Sequence, residues 1–109
     1  MRRQLTLSNR LGAALLLAAS ALPAAAQNAQ ALQVRALAAT CANCHGTEGR
    51  AVQGAAVPGL AGMPAVYMSE QLKTFKAGTR PATVMHQLAK GYNDAQIDQI
   101  AAYFAAQKK

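Results

Sequence analysis

Residues 41–45 read Cys-Ala-Asn-Cys-His, and the chain has no cysteine outside this run. Nothing else in the sequence constrains the fold as tightly. Positions three apart are neighbours on a helix face, so the two thiols fall one turn from each other and an imidazole follows directly. That spacing lets two thiols add to the two vinyl groups on one side of a porphyrin, with the imidazole held beneath the iron. Three other readings compete. A redox-active dithiol expects a βαβ setting that this sequence lacks. A structural zinc site needs four ligands, and the chain offers Cys41, Cys44, His45 and His86. Adjacent Cys44 and His45 reach one tetrahedral ion poorly. A plain disulfide leaves His45 without a role. The motif therefore predicts one haem c, attached covalently through Cys41 and Cys44, with His45 as proximal iron ligand.

The rest of the chain explains why such a group is needed. Of 109 residues, 27 are alanine; the aromatics are two Phe and three Tyr, with no Trp. The size suits one domain, and the scarcity of β-branched and aromatic residues disfavours a sheet. The first 26 residues carry the marks of an export signal. Arg2, Arg3 and Arg10 precede the apolar stretch Leu11 to Leu22, and Pro23 with Ala24-Ala25-Ala26 makes a small-residue cleavage site before Gln27. Twelve residues are too few to span a bilayer. Processing would leave residues 27–109 in the periplasm. Without Arg2, Arg3 and Arg10, eight basic residues face four acidic ones, an excess of four. This suits an acidic protein partner, and the absence of a basic run with interleaved aromatics sets nucleic acid aside. A chain of this size with so little large apolar volume usually needs a staple, and the haem supplies it.

Patterning predicts an all-α fold of three to five helices around one covalent haem. Gln30 to Thr40 is helix-compatible, with Ala31, Val34 and Ala38 on one stripe. Gly46 to Gly62 holds five glycines and Pro58 and is expected to be a long loop, which is uncommon unless it serves a function. Pro64 is expected at the first position of a helix carrying Met68, Leu72 and Phe75 and ending at Gly78. Pro81 is expected to start a short helix with Val84, Met85 and Leu88, stopped by Gly91. Asn93 and Gln96 form a capping-box pair before a last helix with the stripe Ile97, Ile100, Ala101 and Phe104. Lys108 and Lys109 then fall where a helix dipole favours cations. The alanines allow the first and last helices to approach closely.

The second axial ligand has four candidates: Met63, Met68, Met85 and His86. Met68 fits a core stripe, and Met63 at the loop–helix junction suits packing against the haem edge. Met85 lies forty residues after His45. That distance lets the chain pass round the haem and return on its distal face. His86 would give a bis-His site of lower potential, and an open distal site would give a haem sensor or peroxidase.

With these residues in view, the sequence from 27 to 109 resembles a class I c-type cytochrome. The resemblance is carried by Cys41-Ala42-Asn43-Cys44-His45-Gly46, Pro58-Gly59-Leu60-Ala61-Gly62, Tyr67 to Gly78, Val84-Met85, Ala89-Lys90-Gly91-Tyr92 and Ala102-Tyr103-Phe104. It implies that the Pro58 carbonyl accepts from the His45 ring and that Met85 is the methionine ligand. The segment from Val84 to Tyr92, with Pro58 to Met63, is similar to the haem subunit of flavocytochrome c sulfide dehydrogenases. Short carriers of the cytochrome c553 type share most of the pattern. The resemblance implies one-electron transfer between redox protein partners, with a flavoprotein such as sulfide dehydrogenase as donor, or a free soluble carrier. No catalytic residue is expected on this chain.

The remaining residues invite structural readings. Tyr92 and Tyr103 are expected in the core with their hydroxyls on local partners, Tyr67 in the core or donating to a propionate or the methionine sulfur, and Lys73 and Lys76 on a solvated face. Arg80 and Lys90 either pair with haem propionates or face water. Glu48, Glu70, Asp94 and Asp98 form no paired-carboxylate site.

Overall fold

The computed structural model describes residues 22–109. Positions 1–21 of the expected export signal lie outside the described residues. The elements are α1 (Leu22–Ala39), α2 (Ala42–His45), a 3-10 turn (Thr47–Gly49), α3 (Ala65–Ala77), α4 (Met85–Ala89) and α5 (Asp94–Ala105). Among the described residues there is no strand, and the all-α expectation holds. The chain divides into two compact units, Met1–Leu32 and Gln33–Lys109. In the first, the described residues 22–32 are helical. The second holds the core and the haem motif.

The core follows from the last helix. Ile97, Ile100, Ala101 and Phe104 are all buried, as their i, i+3, i+4, i+7 spacing requires. Ile100, Ala101 and Phe104 join Ala38 of α1 and Met68 of α3 in one cluster. Removing the side chains of Phe104, Ile97 and Ile100 from water is worth about 1.5–3 kcal/mol each. Ala38 and Ala101 add little area, but their small size lets the end of α1 join this core. The start of α5 is fixed by the expected capping box. Gln96 N donates to Asn93 Oδ1 at 2.8 Å, and Asn93 N donates to Gln96 Oε1 at 2.9 Å.

Several boundaries differ from the sequence reading. Helix α1 begins at Leu22, before Gln30: Pro23 falls in its first turn, where proline is tolerated, and no glycine or proline follows as far as Gln30. Pro64 caps α3 from outside rather than occupying its first turn. Gly78 ends α3 as expected, at φ 75°, with its N–H on Phe75 O. Helix α4 begins at Met85 rather than at Pro81. Val84 holds φ −139°, outside the helical region, so the turn cannot start earlier. Helix α5 is capped at Ala106, which leaves Lys108 and Lys109 in a tail beyond its last turn. The Lys108 carbonyl accepts from Arg50 Nε at 2.9 Å.

The expected long loop contains one 3-10 turn and is folded back on itself. Gly46 turns the chain at φ 84°, and a Cβ there would lie 2.0 Å from the Arg50 carbonyl oxygen, so only glycine fits. The Gly49 carbonyl accepts from Leu60 N at 2.8 Å and Ala61 N at 3.1 Å. Gly62 N donates to Phe104 O at 2.9 Å. These bonds tie the loop to the end of α5 and bring Pro58 back over α2.

Candidate haem-attachment site

Helix α2 is a single turn and holds the motif from Ala42 to His45. Cys41 precedes it in helical geometry, and its carbonyl accepts from Cys44 N at 3.3 Å and His45 N at 3.0 Å. This hydrogen-bonded turn puts both sulfurs on one side. Both cysteines are free thiols, with Cys41 half-buried and Cys44 exposed. Burial pushes the Cys41 thiol above its usual range; the Thr40 hydroxyl 3.9 Å from its sulfur opposes this, and the nearby Cys44 adds to it.

His45 is the buried polar residue of this region. Its Nδ1 lies 2.7 Å from the Pro58 carbonyl oxygen. A carbonyl only accepts, so Nδ1 carries the proton and Nε2 keeps its lone pair. The ring is thus held in the tautomer that can bind a metal, by the contact expected of Pro58.

Met85 is the first residue of α4 and is half-buried. On either side of it in the sequence, Val84 and Leu88 leave about half of their surface exposed. The neighbouring His86 has a buried Nδ1 with no hydrogen-bond partner. Met68 is in the core, as expected; Met63, expected against the haem edge, packs against that core. Two thiols, an imidazole nitrogen and a thioether are soft and borderline donors that suit haem iron and its vinyl groups, so the residues present fit a haem c. Among the described residues no three His, Cys, Asp or Glu side chains are placed to hold a metal ion.

The charged residues depart from the sequence reading. Lys73 and Lys76 lie on the surface as expected, but each is paired with a carboxylate. Lys73 Nζ lies 2.8 Å from Asp98, and Lys76 Nζ lies 2.8 Å from Asp94, so the two helices α3 and α5 are laced by ion pairs. Arg80 stacks 4.5 Å over the Phe75 ring and donates to Gln71 Oε1. Tyr67, expected in the core, is half exposed. Tyr103 packs edge-on against Phe104 at 5.3 Å. Sequence reasoning missed one tie altogether: Tyr92 Oη lies 2.6 Å from Thr40 Oγ1, across 52 residues of chain. No local spacing signals such a pair.

The Cytochrome c family model matches residues 31–108. The chain belongs to the cytochrome c family. It is an electron-transfer haem protein of a family that binds haem c covalently, and Cys41 and Cys44 are present in it as a C-x-x-C-H motif. This cytochrome c is 41% identical over 68 residues to the cytochrome subunit of sulfide dehydrogenase from Chlorobaculum tepidum, covering 62% of this chain and 60% of that protein. It is 39% identical over 71 residues to a thiosulfate dehydrogenase electron acceptor from Thiomonas intermedia, covering 65% of this chain and 33% of that protein. It is 39% identical over 74 residues to cytochrome c-554(548) of Halomonas halodenitrificans, covering 63% of this chain and 86% of that protein. The matches to the Chlorobaculum and Thiomonas proteins thus span less than two thirds of their lengths. Among the described residues, no helix of this cytochrome c is long and apolar enough to cross a membrane.

Proposed function

We propose that this cytochrome c works in the periplasm, with His45 and Met85 as axial ligands, and accepts single electrons from a flavoprotein of the sulfide-oxidising type. The observation that carries the ligand assignment is the His45 Nδ1 to Pro58 carbonyl bond of 2.7 Å. It orients the imidazole, leaves Nε2 free and raises its basicity. Met85 supplies the thioether from the start of a short rigid turn, and thioether donation raises the potential relative to a bis-His site. When bound, the haem provides a one-electron Fe(III)/Fe(II) couple. The chain contributes ligand identity, burial and a docking surface, with no bond chemistry of its own. Val84 and Leu88 give apolar surface beside Met85 for a ring to cover.

The Chlorobaculum relative supports the sulfide-oxidising reading: it is named a cytochrome subunit of sulfide dehydrogenase and is 41% identical over 68 residues. A free soluble carrier is the second reading. The Halomonas cytochrome favours it, because this chain covers 86% of a protein whose name specifies no enzyme. Export to the periplasm is supported by Arg2, Arg3, Arg10 and the alanine-rich cleavage site ahead of Gln27. The deciding experiment captures the tagged mature protein from native periplasm and takes a flavin spectrum of what accompanies it. A stoichiometric flavoprotein supports the subunit reading. Haem protein alone leaves the free carrier.

A further inference from the structure

We propose that Tyr92 is a positioning residue for axial ligation: its hydroxyl, bonded to Thr40, pins the segment that carries Met85 to the segment that carries the haem-linked Cys41. This rests on Met85 being the distal ligand.

The direction of the bond follows from counting protons. Thr40 Oγ1 lies 2.7 Å from the Leu37 carbonyl, which only accepts, so the single threonine proton goes there. The 2.6 Å contact between Thr40 Oγ1 and Tyr92 Oη then requires the tyrosine to donate. Cys41 Sγ, at 3.9 Å from Thr40 Oγ1, is a weak competitor. The result is a directed chain from Tyr92 through Thr40 to the last turn of α1. Thr40 is bonded covalently to Cys41, so the proximal end of this chain is as fixed as the haem attachment itself.

The distal end is equally stiff. Leu88 N donates to Val84 O, Gly91 N to Leu88 O and Tyr92 N to Ala89 O, in consecutive turns without a break. Ala89 within this run is fully buried. Residues 84–92 therefore move as one body. Tyr92 is at its far end, and the Asn93 cap of α5 follows directly. For Met85 to leave the iron, this body must lift, and lifting it strains the Thr40 contact. The partner element on the near side is the Arg80 stack on Phe75, which holds the chain before Pro81. Tyr92 also packs against the core, so its ring anchors the segment while its hydroxyl sets where the segment sits.

Tyr92→Phe removes the hydroxyl and keeps the ring. In oxidised holoprotein, the sulfur-to-iron band should persist at neutral pH but disappear at a lower pH than in the parent. Imidazole should bind about threefold to tenfold more tightly, the factor one neutral hydrogen bond provides. Thr40→Val should do the same, the double variant should add nothing further, and Thr40→Ser should restore the parent behaviour. A purely structural role would lower the denaturation midpoint without changing imidazole affinity, and that result overturns the proposal. If Tyr92→Phe fails to mature, the Thr40→Val and Thr40→Ser pair gives the same readout. Met85→Ala is the control. A band that survives Met85→Ala overturns the ligand assignment. A band lost in Met85→Ala and unmoved in Tyr92→Phe overturns only the pin.

Discussion

Nδ1 of His45 and the carbonyl oxygen of Pro58 lie 2.7 Å apart, joined by a loop whose return path is fixed at Gly49. Gly49 sits at φ 77°, and a Cβ there would meet the Phe104 ring at 2.8 Å and Ala61 N at 2.9 Å. Gly49→Ala should therefore destabilise the protein by about 1–3 kcal/mol. It should also loosen the imidazole, because the Gly49 carbonyl accepts from Leu60 N and Ala61 N and so fixes the loop that carries Pro58. Urea denaturation reads the first effect. The exchange rate of the His45 Nδ1 proton in the reduced protein reads the second. An unchanged exchange rate would mean that Pro58 keeps its place without this turn.

Met85→Ala should abolish the sulfur-to-iron band of the oxidised protein, open the iron to small ligands and lower the potential. His86→Ala should do none of these. His86 keeps a buried Nδ1 without a partner, so its replacement removes an unsatisfied polar atom and should cost little stability. Optical spectra with and without imidazole separate the two variants. If the effects exchange, the site is bis-His.

Much of this site was legible because its signals are local. Cys41, Cys44 and His45 form a contiguous motif. The Ile97, Ile100, Ala101 and Phe104 stripe and the Asn93–Gln96 box lie within one helix, and their periods translate directly into burial and capping. What the sequence hid depends on packing between distant segments. Lys73 and Asp98 look like independent surface charges until α3 and α5 lie side by side. Thr40 and Tyr92 share no pattern. Pro81 permits a helix without requiring one, and Val84 delays the start of α4 to Met85.

The two motif thiols differ in environment, and this should appear before haem is attached. Cys41 is half-buried and its thiol is held above the usual range by desolvation, whereas Cys44 is exposed. The thiolate is the nucleophile, so iodoacetamide should label Cys44 first in haem-free chain whose helical circular dichroism shows it to be folded. Mass mapping of partially alkylated protein reads the order. Preferential labelling of Cys41 would contradict the burial seen here.

The ion pairs between α3 and α5 should show in the acid limb of stability. Asp98 accepts from Lys73 and Ser69, and Asp94 accepts from Lys76. The lysine hydrogen bond is the main cause that holds each carboxyl below its usual range. A carboxyl with a lowered folded-state pKa stabilises fully above its unfolded value near ~3.9. That contribution is lost as pH falls through the lowered value. The variant carrying Asp94→Asn and Asp98→Asn should melt slightly below the parent at neutral pH, since exposed pairs contribute little. The gap should close as the solution is acidified. Thermal midpoints across the acid range test this, and a gap that widens on acidification would contradict it.

A salt series separates a free carrier from an enzyme subunit. With Lys73 and Lys76 already offset by Asp98 and Asp94, the positive excess available to a partner rests on residues such as Arg80 and Lys90, which flank Met85 in the sequence. Charges of this kind act mainly on encounter rate. Reduction of a free carrier by an acidic donor should slow as salt rises, because the Debye length shrinks from about 10 Å at 0.1 M to about 3 Å at 1 M. Lys90→Gln should slow it further at low salt and make no difference at high salt. A permanent subunit behaves otherwise. Its interface buries an apolar centre, to which exposed Val84 and Leu88 are suited, and electron transfer inside the assembled pair should be nearly independent of salt. Stopped-flow reduction by sulfide in the presence of the captured flavoprotein distinguishes the cases. A flat response within an isolated flavin–haem complex supports the subunit. A steep response with any small acidic donor, and no complex on gel filtration, assigns the protein to free carriage.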